Sequence, residues 1–303
     1  MGLSYGCIVP HSPNLVPEVG RERSERASRT REAMEELGLL IGDRRIRHCV
    51  IVSPHSPFMP EAFGVWNVGR LTGSMERFQA PDVTVTIDVS EQFAEAIIDT
   101  AERMELPVGR MEREWRLDRG ITVPSIYLLR TDETKVVPVA ISMLGWDEHW
   151  LFGTAIAKAA ERVKGESAII ASSNLSHRIT PDAPHGYSAA GAEFDARIRG
   201  AVERGQLREF LDIPPELARD ASECGFSPLL VLGGAFDGKT VKGRVLSYEA
   251  PFGIGYLVGE VEVTKEEPAP LRSEAREEAM VGAGAESVAE APRRRFGPFT
   301  LPR

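Results

Sequence analysis

Hydrophobic residues in this chain fall into short runs separated by longer amphipathic stretches. Leu3–Val9 and residues 48–52 are compact apolar runs, the second rich in β-branched residues, and read as buried strands. Residues 21–40 mix charges with recurring Ala, Met and Leu, which predicts an amphipathic helix. Residues 62–69 (AFGVWNVG) and 83–90 (VTVTIDVS) predict further strands with Gly-rich turns between them. Ser90 opens a predicted helix through Glu105, with Glu91 and Gln92 in its first turn. SIYLLR (125–130) and KVVPVAISML (135–144) predict strands, residues 150–163 a helix, and SAIIASS (167–173) a strand. Helices are expected over residues 189–204, 215–220 and 222–236, and GRVLSYEA and GIGYLVGEVEV read as closing strands. The alternation implies an α/β fold: a single-domain sandwich with a central mixed β-sheet flanked by helices.

From about Thr264 the pattern stops. The last stretch is rich in Ala, Glu, Pro and Arg with few large apolar residues, so it cannot bury enough surface to offset its ordering entropy. The expected organisation is one folded domain over 1–263 and a disordered tail over 264–303, whose end RRRFGPFTLPR pairs basic with apolar residues as a docking motif would. The net charge of −9 argues against a general nucleic-acid binder. No apolar run approaches the roughly 20 residues of a membrane span. The N-terminal residues lack a basic segment followed by a long apolar one, so no secretory signal is expected and the cytoplasm is the expected location. The three cysteines form no CxxC pair; Cys7 and Cys49 lie inside apolar runs and read as buried free thiols.

Two of the apolar runs end in the same way. CIVPHSPN (7–14) and IVSPHSPF (51–58) each stop at a Pro-His-Ser-Pro, delivering His11 and His55. A strand end is where an α/β sheet presents functional side chains, and flanking prolines restrict the backbone around each imidazole. A fixed imidazole suits a metal ligand, although a histidine after a strand also serves as a structural hydrogen-bonder. Two more stretches carry chemistry. His177 follows the strand 167–171, in ASSNLSHRITPDAPHGY. Glu223 begins an otherwise apolar run, where a carboxylate either favours a helix N-terminus or, once buried, needs a partner or a metal.

Taken together these pieces resemble the class III extradiol dioxygenase superfamily, whose relatives include the protocatechuate 4,5-dioxygenase catalytic subunit, DOPA-dioxygenase-like and Memo-like proteins. The resemblance runs from about residue 3 to 262 and is most specific in NLSHR, PDAPHGY and G-x-EFD (174–195) and in ASECG and LGGAF (221–236), ordered after the two strand-end histidines. It implies Fe(II), with zinc or another divalent ion as alternatives, held by His11, His55 and Glu223, and His177 acting as acid/base beside it. It also implies a small aromatic diol and O₂ as substrates, with both oxygen atoms inserted next to the diol on ring opening. Three ligands on one face leave positions for a bidentate diol and O₂. Homo-oligomerisation is left open.

One departure stands out. Relatives carry a mid-chain Asp-His-Gly before Val-Pro, whereas this chain has LDRGITVPS, with Arg119 at the histidine position. Arginine cannot shuttle protons near neutral pH but can hold an anionic substrate. His185, in PDAPHGY, is a candidate replacement at the substrate, and an exposed loop histidine otherwise. His149, in GWDEHWLF, fits a helix start. Two other functions stay open: a Memo-like metal-binding protein acting by interaction or other redox chemistry, for which Cys224 beside Glu223 is the relevant residue, and a metal-dependent hydrolase.

Overall fold

The fully apolar runs form the middle of one sheet. In the computed structural model, which describes residues 2–266 apart from 58, 113–115 and 131–132, the chain opens with β1 (Leu3–Val9), short helices α1 (Pro17–Gly20) and α2 (Glu22–Glu25), and the longer α3 (Ser28–Asp43). Then come β2 (His48–Ser53), β3 (Phe63–Trp66), the hairpin of β4 (Arg70–Met75) and β5 (Ala80–Asp88), α4 (Glu91–Arg103), β6 (Val108–Met111) and α5 (Arg119–Leu128). The second half runs β7 (Lys135–Ala140), α6 (Trp146–Ala160), β8 (Ser167–Ser172), α7 (Ala189–Arg204), α8 (Pro215–Ala221), α9 (Phe226–Ala235), β9 (Lys239–Glu249) and β10 (Tyr256–Glu266).

Eight strands make a mixed sheet in the order β6-β3-β7-β2-β8-β1-β10-β9, and β4 and β5 form a separate two-stranded sheet. The central β7, β2, β8 and β1 run parallel to one another, the β3–β6 pair lies antiparallel to β7 at one edge, and β10 and β9 add antiparallel at the other. Side chains alternate between two cores. Ile8, Val50, Val52 and Ile169 pack on one face beneath α4, α6, α7 and α9. Cys7, Val9, Ile51 and Ile170 pack on the other beneath α3 and α5. Burial on both faces explains why these strands read as unbroken apolar runs. Their C-terminal ends lie side by side, with Val9 opposite Ser172 and Val52 opposite Ala171. The two Pro-His-Ser-Pro turns therefore leave the same edge of the sheet. No described helix is long and apolar enough to cross a membrane.

Several elements differ from expectation. The helix expected over 21–40 is broken. Gly20 packs against the Asn14 carbonyl so closely that a Cβ would sit 2.2 Å from it, and Arg21 then turns with φ +50°, so the long helix starts only at Ser28. SIYLLR is not a strand; residues up to Leu128 belong to α5, whose N-terminus is capped by Asp118 accepting from the Gly120 amide. That helix is buried almost throughout, so its sequence carries no helical period to separate it from a strand. Strand β4 falls where the sequence suggested a Gly-rich turn, and β6 lies in a stretch to which the sequence reading assigned no element. Helix α6 begins at Trp146, four residues before the expected start, and α9 begins at Phe226 rather than Ser222. Residue Thr264 and its two successors continue β10, and the rest of the expected tail, 267–303, lies outside the described residues.

The segment after β8 is tied down from three sides. Asp195, on α7, accepts from the Ser176 amide at 2.9 Å and from the Tyr248 hydroxyl of β9 at 2.7 Å. The Leu175 and Ile179 amides donate to Gly255 and Gly253 in the β9–β10 turn. Ser176 Oγ donates to the Ala221 carbonyl at 2.8 Å. Burial pushes the Asp195 carboxyl up to about 7, against the opposing pull of the Ser176 and Tyr248 donors. The folded chain thus holds this proton more tightly than the unfolded chain. The group's contribution to stability falls as pH rises from near 4 to about 7. Asp195→Asn should flatten the decline of Tm across that window; a variant whose Tm-against-pH curve runs parallel to the parent's would show that another group causes it.

Candidate metal centre

Each strand end fixes one side chain. His11 follows β1 after Pro10. Its amide donates to Asn174 Oδ1 at 3.1 Å, and its Nδ1 lies 3.0 Å from Ser172 Oγ at the end of β8. These contacts turn Nε2 outward. His55 follows β2 after Pro54, and its amide donates to Ser53 Oγ at 3.1 Å. Ser53 Oγ in turn donates to Asp118 Oδ1 at 2.7 Å, and Ser56 Oγ to Asp118 Oδ2 at 2.5 Å. One carboxylate therefore caps α5 and clamps both serines of the His55 turn.

The two imidazoles meet edge-on, with Nε2 atoms 2.9 Å apart. Cys224 Sγ lies 3.4 Å from His11 Nε2, and the ligand atoms of His11, His55 and Cys224 all fall within 4.8 Å of one another. A tetrahedral ion with bonds of roughly 2.0–2.3 Å needs donor atoms about 3.3–3.7 Å apart, so the trio is nearly the right size to close on one cation. Electrostatics favour the same reading. Burial, then His55 and Arg119, hold the fully buried His11 well below the usual histidine range. Burial and Arg119 lower His55 to about 4. Both rings are thus neutral near pH 7 and present lone pairs. Burial and the neighbouring Glu223 push the Cys224 thiol up to about 12, so binding a cation there displaces a proton.

Glu223, expected as the third ligand, has other partners. Its Oε2 accepts from the Gly225 and Phe226 amides, both at 2.6 Å, and so caps the N-terminus of α9. The turn that separates it from the pocket begins at Ser222, in the left-handed region at φ +55°. The next side chain, Cys224, is the one that faces the histidines. His177 joins the same cluster: its Nδ1 lies 3.1 Å from the Leu175 carbonyl and its Nε2 3.7 Å from Cys224 Sγ. Burial, then His185, lower its pKa. His185 is exposed, stacks on His177 with centroids 5.8 Å apart, and has Nδ1 2.6 Å from Ser222 Oγ. His149 lies elsewhere, buried in α6, with Nδ1 2.8 Å from the Gly145 carbonyl and its ring edge-on to Phe63.

Arg119, the first residue of α5, reaches into the site. One of its terminal nitrogens is 3.0 Å from His55 Nε2. Arginine only donates, so this contact makes His55 Nε2 an acceptor. Its Nε is buried with no hydrogen-bond partner among the described residues. His55 and Arg119 open onto a hollow of about 960 Å³. Sequence reasoning placed His11, His55, His177 and Arg119 at this edge, and set Cys224 only beside the ligand it expected. It missed Ser53, Ser172, Asn174 and Asp118, the residues that aim the rings. The sequence trace of that clamp is Ser56, the serine of the second Pro-His-Ser-Pro turn.

Comparison with known proteins agrees with the fold. The chain is 29% identical over 281 residues to Protein CA_C1420 of Clostridium acetobutylicum, covering 90% of this chain and 60% of that protein, so it spans about 60% of that relative's length. Over 111 residues it is 32% identical to 3,4-dihydroxyphenylacetate 2,3-dioxygenase of Escherichia coli, covering 34% of this chain and 40% of that one. The crystal structure of uncharacterized protein JW3007 from Escherichia coli K12 superposes with a TM-score of 0.59 at 17% identity, over 85% of this chain and 99% of that one, and shows the shared fold alone. The family described as the catalytic LigB subunit of aromatic ring-opening dioxygenase matches residues 5–259, and this chain belongs to that family.

Proposed function

We propose that this chain is a metal-dependent redox enzyme of the Memo-like kind, with a divalent metal held by His11, His55 and Cys224. The observation that carries it is the thiol of Cys224, 3.4 Å from His11 Nε2, in the place where the sequence suggested the Glu223 carboxylate. Two neutral imidazoles and a thiolate suit Zn, Cu or Fe and differ from the two-His-one-carboxylate face of the non-haem Fe(II) oxygenases. A bound ion would supply a Lewis-acidic position for a substrate oxygen and, for a redox-active metal, electrons. The protein side of the chemistry is then assigned as follows. Ser172 and the Ser53–Asp118 pair hold the two rings in place. Arg119 keeps His55 unprotonated and offers a fixed charge to an acidic substrate group. His177, neutral at pH 7 and next to the thiol, takes and returns a substrate proton at Nε2.

Extradiol cleavage of a catechol bearing an acidic group is the second reading. Arg119 in the pocket favours it, as does the partial likeness to an enzyme named for a catechol acid. Anaerobic loading with Fe(II) followed by a catechol panel separates the two readings: a yellow ring-opened product selects the second, and silence with metal bound selects the first.

The donor set is tested directly with cobalt. The Co(II)-loaded protein should show thiolate-to-metal charge-transfer absorption that Cys224→Ser abolishes and Glu223→Gln keeps, while His11→Ala and His55→Ala should lose the metal without unfolding. Metal retained by Cys224→Ser but lost by Glu223→Gln would reverse the assignment. Because the thiol must lose its proton, apparent metal affinity should rise about tenfold per pH unit from neutral pH towards 9, and the Cys224→Ser variant should lose that slope.

His177→Gln should retain the metal and cut turnover by about 10²–10⁴-fold; loss of metal instead would make His177 a ligand. Arg119→Ala should raise KM for acidic substrates more than for neutral ones. Equal effects on both classes would remove Arg119 from substrate binding.

A further inference from the structure

The hollow beside His55 holds more cationic charge than one anchoring group requires. Its inner wall carries Arg119. Its outer wall is the turn between β4 and β5, which contributes Glu76, Arg77 and Phe78, with Arg116 beside them. The charges are not equally committed. Asp118 is occupied by Ser53, Ser56 and the Gly120 amide. Glu76 pairs with Arg116 at 2.5 Å. Arg119 retains a buried Nε without a partner among the described residues, and Arg77 is exposed and makes no ion pair or hydrogen bond among them. The guanidinium of Arg119, which spends one terminal nitrogen on His55 and pairs with no carboxylate among the described residues, and the exposed one of Arg77 thus line a space walled by Phe78, Pro57 and Leu117, in a chain whose net charge is −9.

The bracket is held in place. The hairpin leans on α5: a Cβ on Gly73 would lie 2.3 Å from Thr122 Oγ1, and the Leu117 amide donates to the Thr72 carbonyl at 3.0 Å. The backbone that carries Arg77 is therefore set against α5 by packing rather than by a free loop, and the exposed Arg77 side chain swings from that fixed base. That preorganisation lowers the ordering cost of binding a ligand that touches both ends.

We infer that the substrate of this pocket is a dianion: a flat apolar body lying against Phe78, one acidic group on Arg119 beside the metal, and a second, carboxylate or phosphate, on Arg77 at the mouth. This rests on the pocket reading above but not on the identity of the metal or the reaction. It narrows the class from acidic molecules to molecules with acids at two ends. Arg77, not the family histidine position, then sets specificity.

The test is calorimetric binding to the full chain, as purified and after chelation, of benzoate, terephthalate, a biphenyl dicarboxylate and carboxyphenyl phosphate. Every probe offers the same inner carboxylate, so the ratio of two-acid to one-acid affinity cancels any contact with a metal and stands even where no metal binds. At low salt at least one two-acid probe should bind about fivefold or more tighter than benzoate, the scale of one exposed charge pair, and the advantage should shrink as salt is raised. Arg77→Ala should erase that advantage and leave benzoate unchanged, and Arg77→Glu should invert it. Arg119→Ala should weaken all four probes. A stronger grip on carboxyphenyl phosphate than on the dicarboxylates assigns a phosphate to the outer position, and the reverse order assigns a carboxylate. Equal binding of one-acid and two-acid probes, no binding of any, or an advantage that survives Arg77→Ala overturns the inference.

Discussion

The site depends on three neighbouring parallel strands, β2, β8 and β1, being buried on both faces. A strand with no solvent face must be apolar throughout, and its hydrogen-bonding ends must find partners as the chain leaves the sheet. Here the ends are serines. Ser53, Ser172 and Ser173 are fully buried, and the first two bond the residues that carry or aim His55 and His11. The same burial that requires the sheet thus delivers two imidazoles to one place, with prolines limiting how far each can swing.

Burial also sets the charge state. Two protonated imidazoles with Nε2 atoms 2.9 Å apart would repel in a dry pocket. Desolvation and the Arg119 charge keep both neutral, so the lone pairs face each other across a gap that a cation would relieve. Arg119 therefore acts twice. It discourages protons on the histidines, and it puts positive charge on the wall of the hollow beside them. A histidine at that position could not exert this fixed charge at neutral pH, so under the proposed function Arg119 would favour anion capture over proton transfer.

The parts of this arrangement that were legible in the sequence are those fixed by local rules. Strand ends at Pro-His-Ser-Pro were visible because a buried strand is a continuous apolar run and proline ends it. His177 was visible because it follows such a run. The exchange between Glu223 and Cys224 was not. It turns on a single left-handed residue, Ser222, after which the first side chain goes to the amides of α9 and the next towards His11 and His55; either order fits the sequence ASECG. Helix α5 was hidden for a different reason. Buried on nearly all sides, it shows no amphipathic period, and the Asp118 that caps it reads equally well as a loop acid. Arg77 was hidden because β4 and the hairpin turn looked like Gly-rich loop, so nothing in the sequence put that guanidinium across a pocket from Arg119.

The closing hairpin of β9 and β10 carries no ligand, yet Gly253 and Gly255 hold the backbone on either side of His177, and Tyr248 holds Asp195. The first imidazole and the thiol stand 213 residues apart. On the ribosome, His11 and His55 emerge before Cys224, and β1 has neither of its sheet neighbours until β8 and then β10 have been made. The order of synthesis therefore keeps the two histidines apart from their third partner, and the pocket from its final shape, until almost the whole domain has left the exit tunnel. A partly folded chain would offer a metal ion only scattered, weak donors; under the proposed function the His11, His55 and Cys224 donors come together only in the folded sheet, so the fold is present before the ion is held.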